Sequence, residues 1–350
     1  MDIHSSRELE NFVAGYWPYS KLELKQGLRP LSGDAGFRRY FRADASPSAI
    51  AVDSPPDKES NLEYVRTNLL LSDLGVRVPK MLAVDFSSGY FLLEDLGKDH
   101  LLDQLSKSGA DGLYRSAMEQ LSRIQACERQ PAYIPDYDRH LLLSEMNLFR
   151  EWFMEKLLGV NLDADRNQSL SKLFEILAQE ALAQPRVLVH RDYHSRNLMC
   201  TGAGDIAVID FQDAVWGPVT YDLVSLARDC YVRLSPARVD DFVGTFAERL
   251  LAKGKINAGQ HSEFRRWFDL MGLQRHLKVL GIFARLHLRD GKSGYLNDLP
   301  LVLRYTLEVM SQYADSAEIA SWIVAEVIPL CEKQSWYSDW SSAGVETELS

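Results

Sequence analysis

The sequence is poor in cysteine. Cys127, Cys200, Cys230 and Cys331 are scattered along 350 residues, and no two form a C-x-x-C pair. That excludes a disulfide framework and argues against a zinc ribbon; free thiols in a reducing cytosol fit better. No run reaches the ~18 apolar residues that a membrane-spanning helix needs. The opening stretch MDIHSSRELE lacks the apolar centre of a secretory signal. A cytoplasmic protein is therefore expected. Positive charge is also in deficit. With 39 Lys and Arg against 49 Asp and Glu, the formal net charge is −10. Such a surface repels phosphate backbones, so nucleic acid and anionic membrane are poor partners for the whole molecule. A local basic pocket can still take a small anion. There is no internal repeat, no low-complexity stretch and no sign of an obligate protein partner. What remains is an ordinary globular composition, 46% hydrophobic and 25% charged. At roughly 100–200 residues per domain, the chain has room for two.

Periodicity divides the chain near residue 97. Residues 1–97 read as strands and turns with one helix, predicted at 57–74. The strands are expected at 49–52, 78–84 and 90–93, with a glycine-bearing turn inside LRPLSGDAGFRRYFR at 28–42. Residues 98–350 read as mostly helical. Apolar spacing predicts helices at 111–128, 139–158, 167–183, 220–232, 236–253, 260–289 and 301–332. Two short apolar runs at 187–189 and 206–209 interrupt them.

That interruption carries the chemistry. VLVHRDYHSRNLM is followed by IDFQD, so a strand delivers His190-Arg191-Asp192, Asn197 follows after four residues, and a second strand ends in Asp210. Phosphoryl transfer from ATP needs a carboxylate to orient the accepting hydroxyl and hard oxygens to hold magnesium against the phosphates. Kinases meet this need with H-R-D-x-x-x-x-N and a later Asp. The spacing from Asp192 to Asn197 matches; Gln212 stands where the protein-kinase D-F-G has glycine. Asx turns are the bland alternative for Asp192 and Asn197. His190 and His194 at i, i+4 suggest a zinc pair only on a helix, and the strand before them argues against one.

On these residues the chain resembles the aminoglycoside phosphotransferase family, small-molecule relatives of protein kinases. The longer run through IDFQDAVWGPVTYDLVSLARDCYV is similar to the branch of bacterial anomeric kinases that act on N-acetylmuramate and N-acetylglucosamine in cell-wall recycling. The resemblance implies an α+β, bilobal, protein-kinase-like fold. A small antiparallel-sheet lobe would face a large helical lobe, with the nucleotide between them. It implies Asp192 as catalytic base, Asn197 and Asp210 as magnesium ligands, ATP as phosphoryl donor, and an amino sugar turned into its α-1-phosphate on the way to UDP-N-acetylmuramate. It also suggests that Asp222 braces the catalytic loop.

Other candidates are less specific. Gly33, Asp34 and Gly36 could form the loop over the phosphates, because glycine lets backbone N–H groups approach closely. The strand Ala49 to Asp53 lacks the lysine that kinases place on the α/β-phosphates. Either an arginine from 38–42 such as Arg38, or Lys58, substitutes, or the phosphates depend more on metal and backbone, which leaves open the partner of Glu59 and Glu63. Glu94 marks the hinge, where adenine normally meets main chain. For the sugar, Glu145, Asn147 and Arg150 on the 139–158 helix are candidates, with Gln212 and Asp213. A cation such as Arg150 facing the site would favour muramate. Two rivals stay open: the same chemistry on an aminoglycoside, choline, homoserine or methylthioribose, and a nucleotide-binding pseudokinase.

Overall fold

The structure is a computed structural model and describes residues 3–16, 27–31, 37–44, 47–105 and 109–347. Helix α1 (Ile3–Tyr16) is followed by strands β1 (Leu28–Pro30), β2 (Arg39–Ala43) and β3 (Ala49–Asp53), helix α2 (Asn61–Asp73), and strands β4 (Met81–Asp85) and β5 (Tyr90–Glu94). The five strands form one antiparallel sheet in the order β1-β2-β3-β5-β4. Side chains alternate between its faces, as the pleat requires. Ala49, Ala51, Tyr90 and Leu92 meet Leu9, Phe12 and Val13 of α1. Val52, Phe91 and Leu93 turn the other way, toward Tyr64 and Leu71 of α2 and the main core.

Helix α1 was missed by the sequence reading, although Leu9, Phe12 and Val13 at i, i+3, i+4 carry its signal. The expected helix at 57–74 starts later, at Asn61, because Pro55 and Pro56 lead into a turn in which Lys58 N and Glu59 N both donate to Pro55 O. The expected strand at 78–84 starts only at Met81, after Pro79, which has no N–H to give a ladder.

The rest is helical around small ribbons. Helix α3 (Ala110–Ile124) precedes α4 (Arg139–Leu148), which runs on as a π-helical segment, Phe149–Leu157. After α5 (Ala164–Leu182), two antiparallel ribbons pair β6 (Arg186–Val189) with β9 (Val215–Pro218) and β7 (Leu198–Thr201) with β8 (Asp205–Val208). Then come α6 (Tyr221–Ala227), β10 (Arg233–Leu234), α7 (Pro236–Ala252), α8 (Ala258–Asp290), α9 (Leu299–Gln312), α10 (Ala314–Trp322), α11 (Ile328–Cys331) and β11 (Glu346–Thr347), the last parallel to β10. Strands β7 and β9 were not foreseen: four residues, LMCT and VWGP, are too few to show an alternation, and the second ends in Gly-Pro. The helix expected at 220–232 ends at Ala227, where Arg228 leaves helical geometry. The helix expected at 301–332 is several pieces; it breaks at Tyr313, which is extended with φ −114°.

Helix α8 is the axis of this lobe. Its 33 residues begin in a reciprocal Asn257–Gln260 capping box and end at Gly291 with φ 69°, so both termini are satisfied. Between Trp267 and Gly281 every residue is buried, including Asp269, Gln274, Arg275, His276 and Lys278. A helix buried all round must place its polar side chains against specific partners, and those partners lead to the site. All four cysteines are free. Among the described residues, no helix is long and apolar enough to cross a membrane.

Candidate active site

Strand β6 buries Val187, Leu188 and Val189 and ends at His190; β8 buries Ile206, Ala207 and Val208 and leads to Asp210. The apolar strands therefore act as anchors, and the polar residues emerge at their ends. Two non-glycine residues adopt left-handed backbone here, Arg191 with φ 76° and Asp210 with φ 65°. Such strain persists only where the surroundings impose it.

The surroundings are two carboxylates. Asp222 accepts from His190 N at 2.7 Å and Arg191 N at 3.0 Å. Asp229 accepts from Ser195 N at 2.8 Å and Tyr231 N at 3.1 Å. Both are fully buried. Burial pushes the Asp222 carboxyl up to about 7, against the two amides that favour its anion. His190 completes the clamp. Its Nε2–H donates to Ile209 O at 2.9 Å while Nδ1 accepts from Asp192 N at 3.3 Å, which assigns the neutral tautomer. Burial lowers this imidazole to about 4, so it is a structural group and not a proton carrier near neutrality.

The clamp brings three residues together. Asn197 Nδ2 donates to Asp192 O at 3.0 Å and to Asp210 Oδ2 at 3.2 Å. Gln212 Nε2 donates to Asp210 Oδ1 at 2.7 Å. The Asp192 carboxylate accepts no hydrogen bond among the described residues. Burial would raise it, but the positive charges of Lys278 and Arg191 outweigh burial and hold it below the usual carboxylate range. It is an anion in a site of positive potential, open to a hydroxyl.

Above this floor lies a cavity of about 420 Å³. Sheet residues Tyr40, Ile50 and Leu93, the hinge from Glu94 to Lys98, and Asn197, Ile209 and Asp210 line it. Glu94 keeps its side chain on Arg77, at 2.6 and 2.8 Å, leaving main chain at the hinge. Arg38 lies just ahead of β2, the neighbour of the lysine-free β3. It is buried, ion-paired to Glu59 at 3.2 Å, bonded to Ser54 Oγ at 3.1 Å, and its guanidinium lies 4.8 Å from the Tyr64 ring. Tyr64 in turn stacks on Phe211, next to Asp210, at 5.2 Å. Lys58 instead covers the Phe37 ring at 4.9 Å. Gly33, Asp34 and Gly36 lie outside the described residues.

The acceptor candidates separate. Gln212 and Asp213 sit beside the loop. Glu145 is buried and saturated: it meets Lys278 Nζ at 3.1 Å and also takes Arg191, the Tyr137 hydroxyl and Gln274. Asn147 is exposed and donates back to Leu143 O. Arg150 turns to α5, donating to Ser171 Oγ at 2.9 Å beside the Phe174 ring. Sequence reasoning gave no place here to Lys278, Asp229, Arg196 and Tyr231: the charge of Lys278 acts on Asp192, Asp229 ties Ser195 N to Tyr231 N, and Arg196 covers the Tyr231 ring. The one available signal was the seven-residue spacing of Asp222 and Asp229, although α6 ends at Ala227 and only Asp222 lies on it.

Residues 27–256 match the phosphotransferase enzyme family. The chain belongs to that family. The phosphotransferase is 41% identical over 301 residues to an N-acetylmuramate/N-acetylglucosamine kinase of Pseudomonas putida, covering 86% of this chain and 88% of the relative. It is 39% identical over 323 residues to a kinase of the same description from Neisseria meningitidis serogroup B, covering 91% and 94%. Its fold is that of a choline kinase from Cryptosporidium parvum, with TM-score 0.61 at 13% identity, covering 91% of this chain and 99% of the other. It is also that of an aminoglycoside phosphotransferase in an ADP-bound crystal structure, with TM-score 0.56 at 15% identity, covering 88% and 99%. The phosphotransferase fold is thus α+β, bilobal and kinase-like, as the motifs implied.

Proposed function

We propose that this phosphotransferase is an ATP-dependent kinase of the anomeric hydroxyl of N-acetylmuramate and N-acetylglucosamine. Its product would be the α-1-phosphate, feeding peptidoglycan recycling toward UDP-N-acetylmuramate in the cytoplasm. The observation that carries the reading is the cluster in which Asn197 bridges Asp192 O and Asp210, with Asn197 and Asp210 lining the cavity between sheet and hinge. Relatives at about 40% identity, named for these two sugars, supply the acceptor.

In this reading residues 1–97 and 98–350 are the two lobes, and ATP lies between them with its base at the Glu94 hinge. Arg38, held by Glu59, serves the phosphate end, alongside Gly33, Asp34 and Gly36. Asn197 spends its amide hydrogens on Asp192 O and Asp210, which leaves its Oδ1 for a cation. One carboxylate and one amide oxygen fit magnesium, which prefers few protein oxygens plus phosphate oxygens. When bound there, magnesium neutralises charge on the phosphates. Asp192 orients the sugar C1 hydroxyl and takes its proton as the oxygen bonds to the γ-phosphorus and ADP leaves. Because the transition state is loose, aim matters more than basicity, and a carboxylate held anionic suffices. Gln212 and Asp213 are the favoured acceptor contacts. Glu145 acts from below through Arg191 and Lys278, while Asn147 and Arg150 lie farther from the base.

ADP release measured with N-acetylmuramate, choline and kanamycin as acceptors tests the reading. Release dependent on N-acetylmuramate is expected. Turnover only with choline or kanamycin, or nucleotide binding with no turnover at all, would overturn it.

A further inference from the structure

The two proposed acceptors differ by one group: muramate carries a lactyl ether whose carboxylate is an anion at neutral pH. A site that takes both needs a cation near the base. That cation must not be stranded when the neutral sugar binds, because an unpaired buried charge is costly. It should therefore be partly exposed, loosely paired and held in place by something other than an ion pair.

The cations around the catalytic loop are mostly committed. Lys278 and Arg191 share Glu145, Arg38 holds Glu59, and Arg275 is buried against Cys230 Sγ at 3.2 Å. Arg42 ties β2 to the hinge, 2.7 Å from Asp95 and 2.7 Å from Gly97 O. Arg196 differs. Its side chain is 43% exposed, and its carboxylate neighbour Asp298 is 3.9 Å away, at the limit of an ion pair.

What holds Arg196 is a ring. Its guanidinium carbon lies 3.5 Å from the centroid of Tyr231, a close cation–π contact. Tyr231 is fixed in turn by Asp229, which takes Tyr231 N and Ser195 N together. The His194 ring meets Tyr231 edge-on at 5.3 Å. On the other side, His100 Nδ1 bonds Arg196 O at 2.6 Å. Arg196 is thus registered to the same braced loop as Asp192 and lines the cleft beside Asn197.

We propose that Arg196, laid flat on Tyr231, binds the lactyl carboxylate of N-acetylmuramate and sets the preference for it over N-acetylglucosamine. The inference rests on the amino-sugar reading above. When the neutral sugar binds, Arg196 falls back on Tyr231, Asp298 and water, so both acceptors are tolerated.

The test is steady-state kinetics of the full chain and its Arg196→Met and Arg196→Lys variants with ATP, magnesium and each sugar. In Arg196→Met the ratio of kcat/KM for N-acetylmuramate to that for N-acetylglucosamine should fall about tenfold or more, the usual worth of a charge-assisted hydrogen bond. KM for ATP should stay within about twofold. Arg196→Lys should fall between, since an ammonium cannot make the forked contact. Equal loss on both sugars would assign Arg196 a purely structural role. A raised KM for ATP would place it on the phosphates, and loss of discrimination in Lys98→Met but not in Arg196→Met would move the cation to the hinge. Each of these outcomes overturns the proposal. Wild-type protein active on neither sugar would overturn the amino-sugar reading itself and this inference with it.

Discussion

At the scale of single residues, the working group is one carboxylate whose setting is made by others. Among the described residues Asp192 takes no side-chain hydrogen-bond partner; Lys278 and Arg191 keep it charged, and Asp222 and Asp229 hold its loop. Replacing it with Asn keeps the volume and removes the proton acceptor. Asp192→Asn should therefore lower kcat by about 10²–10⁴, the usual contribution of general acid–base catalysis. Nucleotide affinity, measured by titration calorimetry, should be nearly intact, because the proposed ATP contacts lie on Asn197, Asp210 and the other lobe. A variant with wild-type turnover would end the assignment. The motif residues Asp192, Asn197 and Asp210 were legible because their spacing is local. Arg38 was legible only as one of several possibilities. Its proposed place over Lys58 rests on contacts with Glu59, Ser54 and Tyr64, which adjoin it only after the sheet and α2 have packed.

At the scale of elements, α8 positions the C-terminal half of the site, and its packing leaves no room for change. Where it crosses the junction of α4 with the π-helical segment, Gly281 touches backbone. A Cβ there would sit 2.2 Å from Leu148 C and 2.5 Å from Phe149 N. Backbone atoms cannot swing aside as a flexible side chain can. Gly281→Ala should lose ~3 kcal/mol or more in urea unfolding, at the upper end of overpacking costs. Gly272→Ala, on the same helix, is the control. Its Cβ would meet only side-chain atoms, the nearest at 3.5 Å. With the ~1 kcal/mol helix-propensity gain of Ala over Gly, it should be neutral or stabilising. Equal effects at the two positions would refute the packing argument. Periodicity in the sequence foresaw α8 but not this contact, since a glycine in a helix looks the same whether it faces solvent or a crossing backbone.

At the scale of the whole molecule, stability should depend on pH through buried neutral histidines. His190 is lowered to about 4 and His276 to about 3 by burial, His276 also by the charge of Arg275. Unfolded, each binds a proton near 6.5. The unfolded state therefore gains protons first as pH falls, and folding stability is lost from about 6.5 down toward 4. Asp222, raised to about 7, and Asp298, raised to about 6, act in the opposite sense, because protonation relieves their burial. His190 and His276, joined by His194, which burial also lowers, outweigh them. The melting temperature should drop across that window, and His276→Gln should flatten the drop. A melting temperature that rises on acidification would contradict the assignment.

The sequence by itself determined the chemistry and the division of labour: H-R-D, the spaced Asn, the later Asp, and a sheet-forming stretch ahead of a helical one. These are local patterns, legible because neighbouring residues in a strand or loop keep their relative geometry wherever the chain goes. Only the tertiary structure decided which side chains serve that core. Glu145 and Arg150 are five residues apart on one helical run, yet one is buried beneath the base and the other faces α5. Arg196 and Tyr231 are 35 positions apart and meet because Asp229 bridges their loops. Such choices depend on which face each helix presents to α8, and that is set by the packing of the whole core.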